Sequence, residues 1–91
     1  MYVNRVTISK IFCLSPMTVR RRIEGIEKEI GKRYNRYAVV GKLVSAEVFA
    51  DYEKYREFLG NKNLRKTVPP FDMQEASAYL NERMVEEKRR A

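Results

Sequence analysis

Apolar residues recur along this chain at two different periods, and the places where the period changes divide it into elements. Val6, Ile8, Ile11 and Phe12 fall at mixed spacing, in a stretch where Thr7 or Ser9 can cap a short helix ending near Cys13. Cys13 itself reads as a small hydrophobe of the core. Ser15 is a good N-cap and Pro16 suits a first helical position, where its missing N–H has no partner to lose, so a second helix starts there. Its Val19, Ile23, Ile26 and Ile30 follow at i, i+4, i+7 and i+11, one apolar stripe, and Gly31 stops it.

From Lys32 the pattern turns to Tyr and Val in "KRYNRYAVVGKLVS", with Gly41-Lys42 as a glycine-first pair suited to a tight hairpin turn. Ser45 caps a third helix that carries Val48, Phe49, Tyr52, Tyr55 and Leu59 on one side and ends at Gly60. Residues 61–71, with Asn, Lys and Pro69-Pro70 and no period, read as a linker. Asp72 and Glu75 have capping-box spacing, and Met73, Ala76, Leu80 and Met84 give a narrow stripe on a terminal helix over 72–91. The stripe has two uses, self-association or folding back on the first sixty residues. The fold class is mainly α with a small β-hairpin.

The second helix carries three consecutive arginines early and glutamates late, against the sense of its dipole. On a wheel of about 100° per residue, Met17, Thr18, Arg21, Gly25 and Lys28 lie opposite the apolar stripe. Arg20 has Glu24 at i+4, and Glu24 has Lys28, while Gly25 at i+4 leaves Arg21 without an acid. Arg21 is therefore the free guanidinium of the outward face, with Arg20 and Arg22 on its flanks.

Charge sharpens this picture. The formal net charge is +7: residues 1–44 hold ten Lys/Arg and three Asp/Glu, and residues 45–91 hold nine of each. An excess confined to one half points to a polyanion-binding half and a neutral supporting half. The hydrophobic fraction of 44% is that of a folded chain, with no apolar run near the roughly 18 residues of a membrane span, so no membrane partner is expected. No secretory signal opens the sequence and its single cysteine allows no internal disulfide, which makes the cytoplasm the expected compartment. With no histidine there is no Ser-His or Cys-His pair and no Cys/His metal site, and the four scattered glycines form no phosphate loop. Neither an enzyme nor a cofactor is expected.

"TISKIFCLSPMTVRRRI" followed by "YAVVGKLVSAEVFADY" resembles the winged helix-turn-helix DNA-binding domain of MerR-type regulators and of the excisionases of phages and conjugative elements. The matching residues are Ser15, Thr18, Arg20 and Arg21, then Tyr37, Val39, Gly41 and Val44. The resemblance spans roughly residues 3–59 and implies a DNA-binding domain over 1–60, while 61–91 has no counterpart in a minimal excisionase. It implies double-stranded DNA as ligand and the second helix as recognition helix, on which Ser15, Met17, Thr18 and Lys28 are candidate contacts, the outward Arg21 is the base-reading candidate, and Arg20 and Arg22 on the flanks are phosphate clamps. In the wing, Arg33, Arg36 and Lys42, with Lys32, either follow the backbone or minor groove or deter edge pairing. Thr7, Ser9 and Lys10 are further phosphate contacts or ordinary surface, and Tyr34 and Tyr37 either stack on bases or pack. An excisionase has an integrase as partner and no chemistry of its own. A dimeric MerR-like regulator and a basic protein-interaction module are the alternatives.

Overall fold

The structure, a computed structural model, describes residues 1–90. It is mainly helical, with a three-stranded antiparallel sheet in the order β1-β3-β2. The chain runs β1 (Tyr2–Asn4), α1 (Arg5–Phe12), α2 (Pro16–Lys28), β2 (Val39–Val40), β3 (Leu43–Ser45), α3 (Ala46–Leu59), α4 (Lys62–Arg65) and α5 (Met73–Arg90).

The first strand is an addition to the sequence reading. Only Val3 of its three residues is half-buried, which is too short for an alternation to show. Its last residue, Asn4, caps α1 in place of Thr7 or Ser9, its Oδ1 accepting the Thr7 N–H at 2.9 Å. Ser9 instead braces the turn into α2: its carbonyl accepts from Leu14 N at 3.1 Å and its hydroxyl donates to Leu14 O at 2.5 Å. Cys13 is not core. It ends α1 in the left-handed region at φ +54° with its side chain exposed, because α1 must turn there to reach Ser15.

Ser15 does cap α2, accepting from Thr18 N at 3.2 Å. Val19, Ile23 and Ile26 are buried, and Ile30 falls beyond the helix end, half-buried. Gly31 at φ +87° turns the chain where a side chain would be strained. The hairpin is shorter than "KRYNRYAVVGKLVS" suggests. Val39 pairs with Val44 and Val40 with Leu43 around Gly41-Lys42, with Gly41 at φ +59°. Residues 32–38 form turns and a short 3-10 segment, because Tyr34 is drawn inward to donate its hydroxyl to Asp51 of α3 at 2.6 Å.

Ser45 caps α3 by accepting from Val48 N at 3.3 Å, and Gly60 ends it. Phe49 is fully buried with its ring centroid 4.9 Å from that of Phe12. Residues 61–71 are not a loose linker: α4 lies within them, Arg65 binds Glu29, Arg33 reaches the Pro69 carbonyl at 2.6 Å, and Phe71 meets Tyr34 edge-on at 5.6 Å. The stripe of α5 folds back onto α1 and α3. Ala76 and Leu80 are buried, Met84 is partly buried against the same core and Met73 is exposed. Residue 91 of the expected terminal helix lies outside the described residues. Among the described residues no helix is long and apolar enough to cross a membrane.

Candidate nucleic-acid interface

The sheet register determines which charges meet. Asn4 lies opposite Leu43, so the hairpin turn sits beside the start of α1. α1 in turn meets α2 across a groove of about 340 Å³, lined by Arg5, Val6, Ser9 and Lys10 from α1 and by Pro16, Val19 and Arg20 from α2. None of these lining residues is acidic, and neither helix has an acid in its first turn. The C-terminal end of α1 adjoins the N-terminal end of α2, and Arg5, Lys10 and Arg20 line the groove between the two helices with no acid among them. Lys42 stands on the adjoining turn.

The exposed row of α2 is Met17, Arg20, Arg21, Glu24 and Lys28. Arg20 Nε is 3.3 Å from Glu24, an exposed i,i+4 pair. Arg21 and Lys28 make no ion pair among the described residues and open onto a second groove of about 320 Å³ that includes Gly25, Tyr52 and Arg56. Thr18 is half-buried, and its Oγ1 accepts the Ser15 hydroxyl at 3.0 Å, so both hydroxyls already serve the cap. Gly25 does not face outward: a methyl on its α-carbon would lie 2.0 Å from the Tyr52 hydroxyl oxygen, so α3 occupies that flank.

Tertiary pairing removes two arginines from the candidate set. Arg22 donates to Glu53 at 2.6 Å, with both side chains largely covered. Arg33 is buried and holds Asp51 with two hydrogen bonds, at 2.7 and 2.9 Å. Burial, reinforced by the bond to Asp51, pushes the neighbouring Tyr34 phenol well above its ordinary value, so it stays protonated. Neither Tyr34 nor Arg33 is a surface group. Arg36 is exposed, lies 4.9 Å over the Tyr37 ring and donates to its hydroxyl at 2.8 Å. Because it precedes β2, it sits at the opposite end of the hairpin from Lys42.

Arg5 is the functional candidate that sequence reasoning missed. Its signal was available in "YVNR", an asparagine cap followed by a base in the first turn, the same inversion of dipole preference that marks α2. Comparison of the chain with protein-family models, with curated proteins and with solved structures finds no match.

Proposed function

We propose that this protein is a sequence-specific double-stranded DNA-binding protein of the winged helix-turn-helix kind, an excisionase or small transcriptional regulator of a phage or mobile element. The observation that carries the reading is the acid-free groove between α1 and α2 that Arg5, Lys10 and Arg20 line. Phosphates favour such a place because its guanidinium and ammonium groups are offset by no carboxylate in the groove. In this reading α2 enters the major groove by its N-terminal half, Arg21 reads a base edge, and Arg5, Lys10, Arg20 and Lys42 hold backbone. The exposed Arg20–Glu24 pair is worth at most about 1 kcal/mol, so a phosphate readily replaces the carboxylate. An integrase is the partner of the excisionase form, and α5 is a brace for the DNA-binding unit rather than its dimerisation arm.

The test is selection of duplexes from a random-sequence pool, followed by titration of the selected duplex and a shuffled one across salt concentrations. About four to five phosphate contacts should give a log–log slope of roughly −4. Tighter binding to the selected duplex supports the reading. Equal binding to both duplexes and to heparin would instead make the basic groove a general polyanion surface. Protection mapping on DNA flanking the protein's own gene separates the two roles: footprints over a recombination site identify an excisionase, and footprints over a promoter a regulator.

A further inference from the structure

The tip of the hairpin presents apolar side chains where polar ones would fold as well. Val40 and Leu43, directly opposed next to the Gly41-Lys42 turn, are 48% and 43% exposed. The next pair, Val39 and Val44, points to the other face, where Val44 is buried. β2 is an edge strand, a position that proteins usually protect with charged residues or proline. Threonine would satisfy strand propensity at either site without exposing hydrocarbon.

We propose that Val40 and Leu43 form a wedge which the hairpin seats in the minor groove of bound duplex DNA, parting one base step and bending the helix. The inference rests on the DNA-binding reading above. Its occupant is argued from charge and from width. Lys42 in the turn, and Arg5 just after β1 on the Leu43 side, place two cations next to the apolar pair, where they would meet phosphates at the edge of a groove. Two strands about 4.8 Å apart, with side chains on them, are broader than the roughly 6 Å minor groove, so the ribbon enters only by opening it. Apolar side chains at the point of entry then cover the faces of separated bases, as wedge residues of minor-groove binders do. Pyrimidine–purine steps part at least cost, so selected sites should carry TA or CA/TG at a constant distance from the bases under α2.

The experiment scans 2-aminopurine through the selected duplex and measures energy transfer between dyes on its two ends, with the unaltered chain and with the Val40→Thr/Leu43→Thr variant. The unaltered chain should raise 2-aminopurine fluorescence several-fold at one step and bring the ends closer. The variant should leave that step stacked and the duplex straighter. Its affinity for intact duplex should fall about tenfold, but much less for a duplex mismatched at the step, where parting is already cheap. Saturable binding of the unaltered chain without an unstacked step, or equal bending by the variant, overturns the wedge and leaves DNA binding standing. Failure of the unaltered chain to bind any duplex overturns both. The 2-aminopurine measurement on the unaltered chain does not depend on how the variant folds.

Discussion

Arg21 and Arg22 are adjacent in the chain and about 100° apart on α2, and that rotation separates their tasks. Arg21 is exposed and unpaired among the described residues, whereas Arg22 spans to Glu53 of α3. Arg21→Ala should leave the melting temperature nearly unchanged while costing about 1–3 kcal/mol on a selected duplex and much less on a shuffled one. Arg22→Ala should do the reverse, lowering stability by about 1–2 kcal/mol because Glu53 is left covered and unpaired. Denaturation and duplex titration of both variants check this, and a large loss of DNA specificity with unchanged stability for Arg22→Ala would return it to the interface. Gly25 is a second residue whose role depends on its neighbour. Alanine is normally better than glycine in a helix interior by about 1 kcal/mol, but here the added methyl would lie 2.0 Å from the Tyr52 hydroxyl oxygen and 2.6 Å from Cζ. Gly25→Ala should therefore destabilise by about 1–2 kcal/mol and become stabilising when combined with Tyr52→Ala. Additive effects in a denaturant-melt double-mutant cycle would rule out this close approach of α2 and α3.

Among the elements, α4 and the segment after it are held by side chains from the region just beyond α2. Arg65 reaches Glu29 through both its terminal nitrogens, and the Arg33 guanidinium binds the Pro69 carbonyl while gripping Asp51. The start of α5 is fastened separately, with Lys54 and Tyr55 both donating to Glu75, at 2.8 and 2.6 Å. The hydrogen bond from Arg65 holds the Glu29 carboxyl below its ordinary value of 4.5 despite the opposing effect of burial. A carboxyl lowered in the folded state stabilises above its unfolded value and loses that contribution as pH falls through the folded one. Glu47 and Glu75 are lowered too, so the melting temperature should decline below about pH 4.5. Glu29→Gln should cost about 1 kcal/mol at neutral pH and flatten part of that decline. A decline of unchanged depth in melts from pH 7 to 3 would show that Glu29 contributes nothing to it.

At the scale of the molecule, the neutral second half is structurally inseparable from the basic first half. Leu80 and Ala76 of α5 join a core with Ile8, Phe12 and Phe49. Burying a side chain such as Leu80 is worth roughly 1.5–3 kcal/mol, a large part of the stability available to a chain of this size. Truncation after Gly60 should therefore abolish the cooperative thermal transition and reduce DNA binding through unfolding. Leu80→Ala should cost about 2–4 kcal/mol with duplex affinity retained below its melting point. A truncated chain that melts cooperatively and binds a single site normally would show α5 to be dispensable. The segregated charge of the sequence is also redistributed on folding. Arg22 and Arg33 are neutralised by Glu53 and Asp51 of α3, Arg65 of the second half covers Glu29 of the first, and Arg5, Lys10 and Arg20 line one groove, with Lys42 on the turn beside the start of α1.

Local signals were enough for the parts of this protein that local physics controls. Ser15-Pro16 and Ser45 stand where α2 and α3 start, Gly60 closes α3, Gly41-Lys42 makes the two-residue turn, and Val19, Ile23 and Ile26 face the core. Caps, turns and helical stripes depend on residues within about four positions of one another, so they are legible in one dimension. Only the tertiary structure decided which charges remain on the surface. Arg22, Arg33 and Arg65 find acids 31, 18 and 36 positions away, and no periodicity records such partners. The same holds for Tyr34, which a run of Tyr and Val assigns to a strand and which Asp51 draws into the core. It holds as well for β1, whose three residues pair with β3 some forty positions on, and whose register brings the hairpin tip and Arg5 together. Pairing across such distances is selected by packing and by the cost of leaving charges covered and unpaired, and both exist only once the chain has closed on itself.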